Sequence, residues 1–81
     1  MNQTEVLAKL QTIFNGIFLE PPQVSAILTA DDVPEWDSLV QISLMAAADK
    51  AFNVRFRVGE VEATKNVGEW SELIIKRMTE K

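Results

Sequence analysis

The sequence predicts an all-α fold, a small bundle of three long helices and one short helix with a long first loop. Apolar residues recur with a helical period in three separate segments, capping residues stand at the starts of those segments, and three prolines interrupt the stretch between the first two. The length of 81 residues suits one domain, over positions 1–81, near the lower size that builds a core without disulfides or metals.

The first helix is expected to begin near Asn2 or Thr4. Asn2 and Glu5 are three residues apart, the spacing of a capping box. Because proline cannot continue a helix, Pro21-Pro22 forbids its extension. The predicted apolar face comprises Leu7, Leu10, Phe14 and Ile17, with Val6 and Ile13 beside them.

A loop without sustained periodicity is expected from about residue 17 to Asp37. Loops of roughly 20 residues are uncommon in compact domains and tend to be functional. The length also allows the flanking helices to run roughly parallel. Its scattered apolar anchors are Val24, Ile27, Leu28 and Val33.

The second helix is predicted from Ser38 to about Phe52, with Asp37 as its N-cap. Its buried stripe is expected to comprise Leu39, Ile42, Met45, Ala48 and Phe52, broadened by Leu44.

The remaining chain is expected to be extended over residues 53–56 and then to form a short helix over 60–64. Asn66 with Glu69 repeats the capping-box spacing and opens the last helix. The apolar edge of that helix comprises Val67, Trp70, Leu73, Ile74, Arg77 and Met78.

The residue types exclude most catalytic chemistry. The chain has no cysteine, histidine or tyrosine, so it lacks thiolate nucleophiles, zinc–cysteine sites and most nucleophile–base pairs. We therefore expect no catalytic residues and no metal site. No apolar run approaches the ~18 residues that suggest a membrane span. The expected protein is cytoplasmic, without a membrane span, and monomeric.

Negative charge is concentrated in the first half of the chain. Net charge is −4; residues 1–40 carry six acids and one lysine, whereas residues 41–81 carry six acids and seven bases. Four of the six N-terminal acids lie within eight residues of Ser38. This distribution favours partners with basic surfaces and disfavours nucleic acids.

Ser38 is the candidate site. Asp37 as N-cap places Ser38 in the first helical position, where unpaired N–H groups and the helix dipole tolerate a phosphate. A hydroxyl held there is suited to carrying a phosphodiester.

The ordered set of features resembles the acyl carrier proteins over essentially the whole chain. These features are the long first loop, Asp37-Ser38-Leu39 opening helix two, the extended segment Val54-Arg55-Phe56, the short helix and a last helix that begins with Val67. The resemblance implies a non-enzymatic four-helix bundle. It also implies that Ser38 carries 4′-phosphopantetheine, transferred from coenzyme A by a phosphopantetheinyl transferase. Asp37 would contact that transferase and help to hold magnesium beside the phosphate.

Two further residue sets follow from this interpretation. Partner enzymes, which transfer, condense or ligate acyl groups, are expected to contact Glu35, Trp36, Leu39 and Val40. An acyl chain is expected to lie among Ile42, Met45, Ala48, Phe52 and Phe56, for which plain core packing is the competing interpretation.

Two departures from the usual family pattern indicate a specialised fatty-acid, polyketide or related pathway. Trp36 stands where many members have a small or aliphatic residue, and Asp49 is the only acid of helix two. Trp36 also suits a hydrophobic staple before the helix.

Other classes fit less well. A peptidyl or aryl carrier of non-ribosomal synthesis is the close alternative, although its usual Gly-Gly-His/Asp-Ser pattern is absent. An unmodified helical interaction module would explain the fold, but it would not explain why four acidic residues lie close in sequence to Ser38. The segment Asp31–Asp37 is not an EF-hand calcium loop, because it lacks the glycine that such a loop has at its middle. A helix-turn-helix DNA-binding protein is disfavoured by the negative net charge of the chain.

Overall fold

The computed structural model describes residues 2–57 and 59–79 and contains three α-helices. They are α1 (Gln3–Ile17), α2 (Ser38–Phe52) and α3 (Val67–Thr79), with a 3-10 turn at Ala30–Asp32 in the long first loop. α1 packs against both other helices. No strand occurs in the described ranges, and no helix there is long and apolar enough to cross a membrane. The all-helical prediction is confirmed.

The predicted short helix over 60–64 is wrong. Residues 59–63 form turns held by separate hydrogen bonds, from the Ala63 N–H to the Gly59 carbonyl and from the Thr64 N–H to the Val61 carbonyl, both 3.1 Å. Gly59 has φ +87°, outside the helical region. So short a segment gains too few hydrogen bonds to offset the cost of helix nucleation.

α1 begins with the predicted capping box. The Glu5 N–H donates to Asn2 Oδ1 at 2.9 Å, and the Asn2 N–H donates to Glu5 Oε1 at 3.2 Å. Its fully buried line is Val6, Leu10 and Phe14, whereas the predicted Leu7 and Ile17 are only partly buried.

α2 exposes part of its predicted buried stripe. Leu39 is 75% exposed and Ile42 is 63% exposed, so their predicted burial is wrong. The burial predicted for Leu44, Ala48 and Phe52 is confirmed. Apolar residues occur on several sides of this helix, so its sequence pattern does not identify the side that α1 covers.

The start of α3 receives the long loop. The Val67 N–H donates to the Leu28 carbonyl at 2.8 Å, and the Gly68 N–H donates to the Ala26 carbonyl at 2.9 Å. The predicted cap is confirmed, because the Glu69 N–H donates to Asn66 Oδ1 at 2.8 Å. Loop and helix thus satisfy backbone groups that each would otherwise leave unpaired.

Gln11 fixes the loop to α1. Its Oε1 accepts a hydrogen bond from the Val24 N–H at 2.7 Å, and its Nε2 donates to the Pro22 carbonyl at 3.0 Å. The loop is therefore hydrogen-bonded to α1 through Gln11 and to the start of α3 through its own carbonyl groups, although its regular structure is limited to a short 3-10 turn.

Gly68→Ala should lower the free energy of unfolding by ~1–3 kcal/mol. A Cβ at this position would lie 2.6 Å from the Ala26 carbonyl oxygen, so the loop would have to move. The matched control is Gly16→Ala, at a helical position where a Cβ meets nothing within 4 Å. That change should stabilise by up to ~1 kcal/mol. Urea denaturation compares the two, and equal effects would contradict the close approach of loop and helix.

Candidate functional site

Ser38 is the first residue of α2, and its side chain is exposed. Asp37 caps the helix as predicted: its Oδ1 accepts from the Val40 N–H, and its carbonyl from the Gln41 N–H, both at 2.9 Å. Among the described residues, none accepts a hydrogen bond from the N–H groups of Ser38 and Leu39 or engages the Ser38 hydroxyl. The helix end therefore presents one hydroxyl beside two available N–H donors.

Trp36 attaches this helix end to α1. Its ring centroid lies 5.3 Å from that of Phe14 and 6.0 Å from that of Phe18, both in edge-to-face geometry. Its indole N–H donates to Gln41 Oε1 at 2.6 Å. A hydrophobic staple joins the residue before the N-cap to the fourth helical residue. Here Trp36 and Gln41 occupy those two positions, and a hydrogen bond joins them.

Glu35 ties the chain that follows α1 to the start of α2. Its two carboxylate oxygens accept from the backbone N–H groups of Leu19 and Glu20, both at 2.9 Å. The Asp37 N–H in turn donates to the Glu35 carbonyl at 3.0 Å. The carboxylate of Glu35 is thus engaged in holding the loop, besides contributing charge near Ser38.

An apolar surface adjoins Ser38. Leu39 and Ile42 are both largely exposed, whereas Val40 is partly buried against the core. An open groove of about 500 Å³ runs along this surface. Its walls are Ala30, Trp36, Asp37, Ser38, Gln41, Ile42 and Glu62.

A smaller chamber of about 240 Å³ adjoins the groove. The two share four wall residues: Ala30, Trp36, Gln41 and Glu62. The chamber extends inward between the loop, the 59–63 turns and α3, where its apolar walls include Leu28, Val61, Val67 and Trp70. The sequence placed Val67 and Trp70 on an apolar helix edge, but no sequence signal located a chamber beside them.

The five residues predicted to surround an acyl chain do not line one common cavity in the described part of the chain. Ile42 lines the open groove, and Ala48 and Phe52 belong to the buried core. Met45 is partly buried against that core. Phe56 lines a separate concavity near the C-terminal end of α2, together with Asp49, Lys50 and Arg55.

The charges around Ser38 come from the loop. Asp31 and Asp32 are exposed, and Asp32 accepts a hydrogen bond from the Thr29 N–H at 3.1 Å. The acid of α2, Asp49, is eleven positions from Ser38, or roughly 16 Å along the helix. Burial raises the pKa of Asp49, and the nearby Arg55 opposes that shift. The acidic field at the site therefore owes little to α2 itself.

The three-helix fold with its long, tethered first loop is similar to that of a small carrier protein, and not to that of an enzyme. Among solved structures, the chain is similar to the holo acyl carrier protein from Geobacter metallireducens, determined by NMR in solution. The two share 28% sequence identity with a TM-score of 0.82, and the match covers 93% of this chain and 87% of that one. No family model and no curated protein matches the sequence.

The fold is thus similar to that of an acyl carrier protein over nearly the whole chain. The family resemblance predicted from the sequence is confirmed, and with it a carrier role. Members of this family interact with the enzymes of their pathway.

Proposed function

We propose that this protein carries acyl intermediates as thioesters on 4′-phosphopantetheine attached to the Ser38 hydroxyl. The observation that supports it best is the exposed, unengaged serine at the first position of a capped fifteen-residue helix. The similar solved protein is a holo form, which supports a prosthetic group of this kind.

The residues at this helix end fit a phosphodiester. The N–H groups of Ser38 and Leu39 are available donors, and the positive end of the helix dipole favours a bound phosphate. The group supplies a terminal thiol, which this cysteine-free chain lacks. Trp36 and Glu35 fix the backbone at this helix end, so Ser38 is presented to solvent and partners from a constant position.

Partner enzymes are proposed to dock around Ser38 on a surface that combines apolar and acidic groups. Leu39 supplies exposed apolar area, and Asp31, Asp32 and Glu35 supply negative charge beside it. Complementary charge governs encounter rate and partner choice. We propose two kinds of partner. One is the phosphopantetheinyl transferase, which would contact Asp37. The others are acyl-transferring, condensing or ligase enzymes whose docking surfaces carry basic residues at the edge.

The proposed pathway is a specialised fatty-acid, polyketide or related biosynthesis. α2 carries little negative charge on its exposed face. Partner enzymes whose basic residues bind an acidic second helix would therefore make few contacts with this protein. A peptidyl or aryl carrier remains the alternative assignment of the same serine chemistry.

The decisive test of the carrier chemistry is Ser38→Ala. Incubation with coenzyme A and a broad-specificity phosphopantetheinyl transferase should add one phosphopantetheine mass to the wild type and none to Ser38→Ala. Ser43→Ala is the matched control, because Ser43 is also exposed on α2. It should be modified like the wild type. Modification of Ser38→Ala would refute the assignment, and no modification of a folded wild type would favour an unmodified interaction module.

Asp37→Asn should separate the two roles of this side chain. Asparagine and aspartate are nearly equal N-caps, so the free energy of unfolding should change by less than ~0.5 kcal/mol. A lost charge-assisted contact is worth ~1.5–3 kcal/mol, so modification should slow about tenfold or more.

Initial rates of phosphopantetheine transfer, measured by intact mass, test this prediction. Asp31→Asn removes a nearby exposed charge that caps nothing in the described structure and serves as control. Equal slowing of both variants would show that Asp37 acts only through net charge.

A further inference from the structure

The segment that follows α2 has backbone groups without partners. Residues 54–57 form no helix, turn or bend, and their side chains alternate in burial. Val54 is buried and Phe56 half-buried, whereas Arg55 and Arg57 are exposed. Alternation with a period of two is the pattern of a strand that has one covered face. Among the described residues, none forms a hydrogen bond with the backbone of Arg55 or Phe56, so the segment is strand-like but unpaired.

This segment is one wall of the concavity at the C-terminal end of α2. The open space has a volume of about 650 Å³, and α2 and α3 supply the other walls. Three cations line it, one from each of these parts of the chain: Lys50 from α2, Arg55 from the segment and Arg77 from α3. The acid among its walls is Asp49. Positive charge is therefore concentrated here, in a chain whose net charge is −4.

Two of the three cations are available to a partner. Arg77 forms an ion pair with Glu60. Lys50 and Arg55 are exposed, and neither forms an ion pair with a described residue. Asp49 interacts with the charge of Arg55 only over a longer distance. The concavity consequently presents two unpaired positive charges beside an unpaired backbone segment.

These features favour an extended acidic peptide as the occupant. A strand-like segment with free N–H and carbonyl groups can take an added strand, because a second chain supplies the missing hydrogen bonds. Lys50 and Arg55 favour carboxylates on that chain, since complementary charge governs partner choice. A lipid surface fits less well, because it has no peptide groups and none of the exposed large aliphatic residues of the described chain lines the concavity.

We propose that the concavity is a docking site for an extended acidic segment of a partner protein, which pairs with the backbone of residues 54–57 and places carboxylates beside Lys50 and Arg55. Lys50 is twelve positions from Ser38, or roughly 18 Å along α2. No described residue lines both this concavity and the Ser38 groove. A partner held here leaves Ser38 open to a second protein, and the site does not depend on the proposed function.

The test titrates the unmodified ¹⁵N-labelled protein with a blocked heptapeptide of alternating glutamate and valine, and follows the backbone amides by ¹H–¹⁵N NMR. Successive residues of a strand present their backbone groups to opposite edges. The amide proton of either Arg55 or Phe56 should therefore move downfield and exchange more slowly with solvent, because a peptide carbonyl becomes its acceptor. The same peptide N-methylated at every internal residue keeps its charges but loses its donors, and it should bind at least about fivefold more weakly.

Two double variants test the contribution of charge. Lys50→Gln combined with Arg55→Gln should weaken peptide binding about threefold or more. Lys65→Gln combined with Lys76→Gln is the matched control, because it removes the same charge from exposed lysines outside the concavity. The control should bind the peptide nearly as well as the wild type, and circular dichroism verifies that both variants fold.

Four results would overturn the docking site. They are unmoved amide signals of both Arg55 and Phe56, equal binding of the N-methylated peptide, equal weakening in the two double variants, and tighter binding of the wild type to phosphatidylglycerol vesicles than to the peptide. The last result would assign the concavity to a lipid surface. If the Lys50 and Arg55 double variant does not fold, the wild-type measurements decide. None of these results bears on the modification of Ser38.

Discussion

The edge-to-face contact of Trp36 with Phe14 and Phe18 is the interaction on which the site depends. It joins the last turn of α1 and the residue that follows it to the residue before the cap of α2. Aromatic pairs of this kind contribute ~0.5–1.5 kcal/mol beyond the area they bury. Since the indole also donates to Gln41, one side chain sets both the position of α2 and the orientation of an amide in the chamber wall.

The long loop completes this arrangement by satisfying backbone groups of its neighbours. Glu35 accepts from the N–H groups of Leu19 and Glu20, and the carbonyls of Ala26 and Leu28 accept from the start of α3. The loop consequently closes one side of the chamber without being helical. Support for Ser38 thus comes from α1, the loop and α3 together, while the residues nearest to it remain open to a partner.

The fold could be predicted where the signal is local. The capping box at Asn2–Glu5 and the caps at Asn66 and Asp37 follow from residue spacing and are present as expected. The reciprocal bond of the second capping box differs, because Glu69 accepts from the Lys65 N–H and not from that of Asn66. The buried side of α2 could be predicted only in part: Leu44, Ala48 and Phe52 are buried as expected, whereas Leu39 and Ile42 are exposed. Apolar residues occur on several sides of this helix, so the position of α1 decides which of them are covered. The chamber was also beyond sequence reasoning, since its walls come from segments far apart in the chain and brought together by backbone hydrogen bonds.

The central claim is that Ser38 is held as the attachment point of the carrier arm. The most direct measurement is tandem mass spectrometry of the protein isolated from its own cells, on the peptide that contains both Ser38 and Ser43. We predict that the peptide bears phosphopantetheine or its acyl thioester, with fragment ions that localise it to Ser38. An arm localised to Ser43 or another hydroxyl, or a folded protein in which Ser38 is always unmodified, would contradict the account.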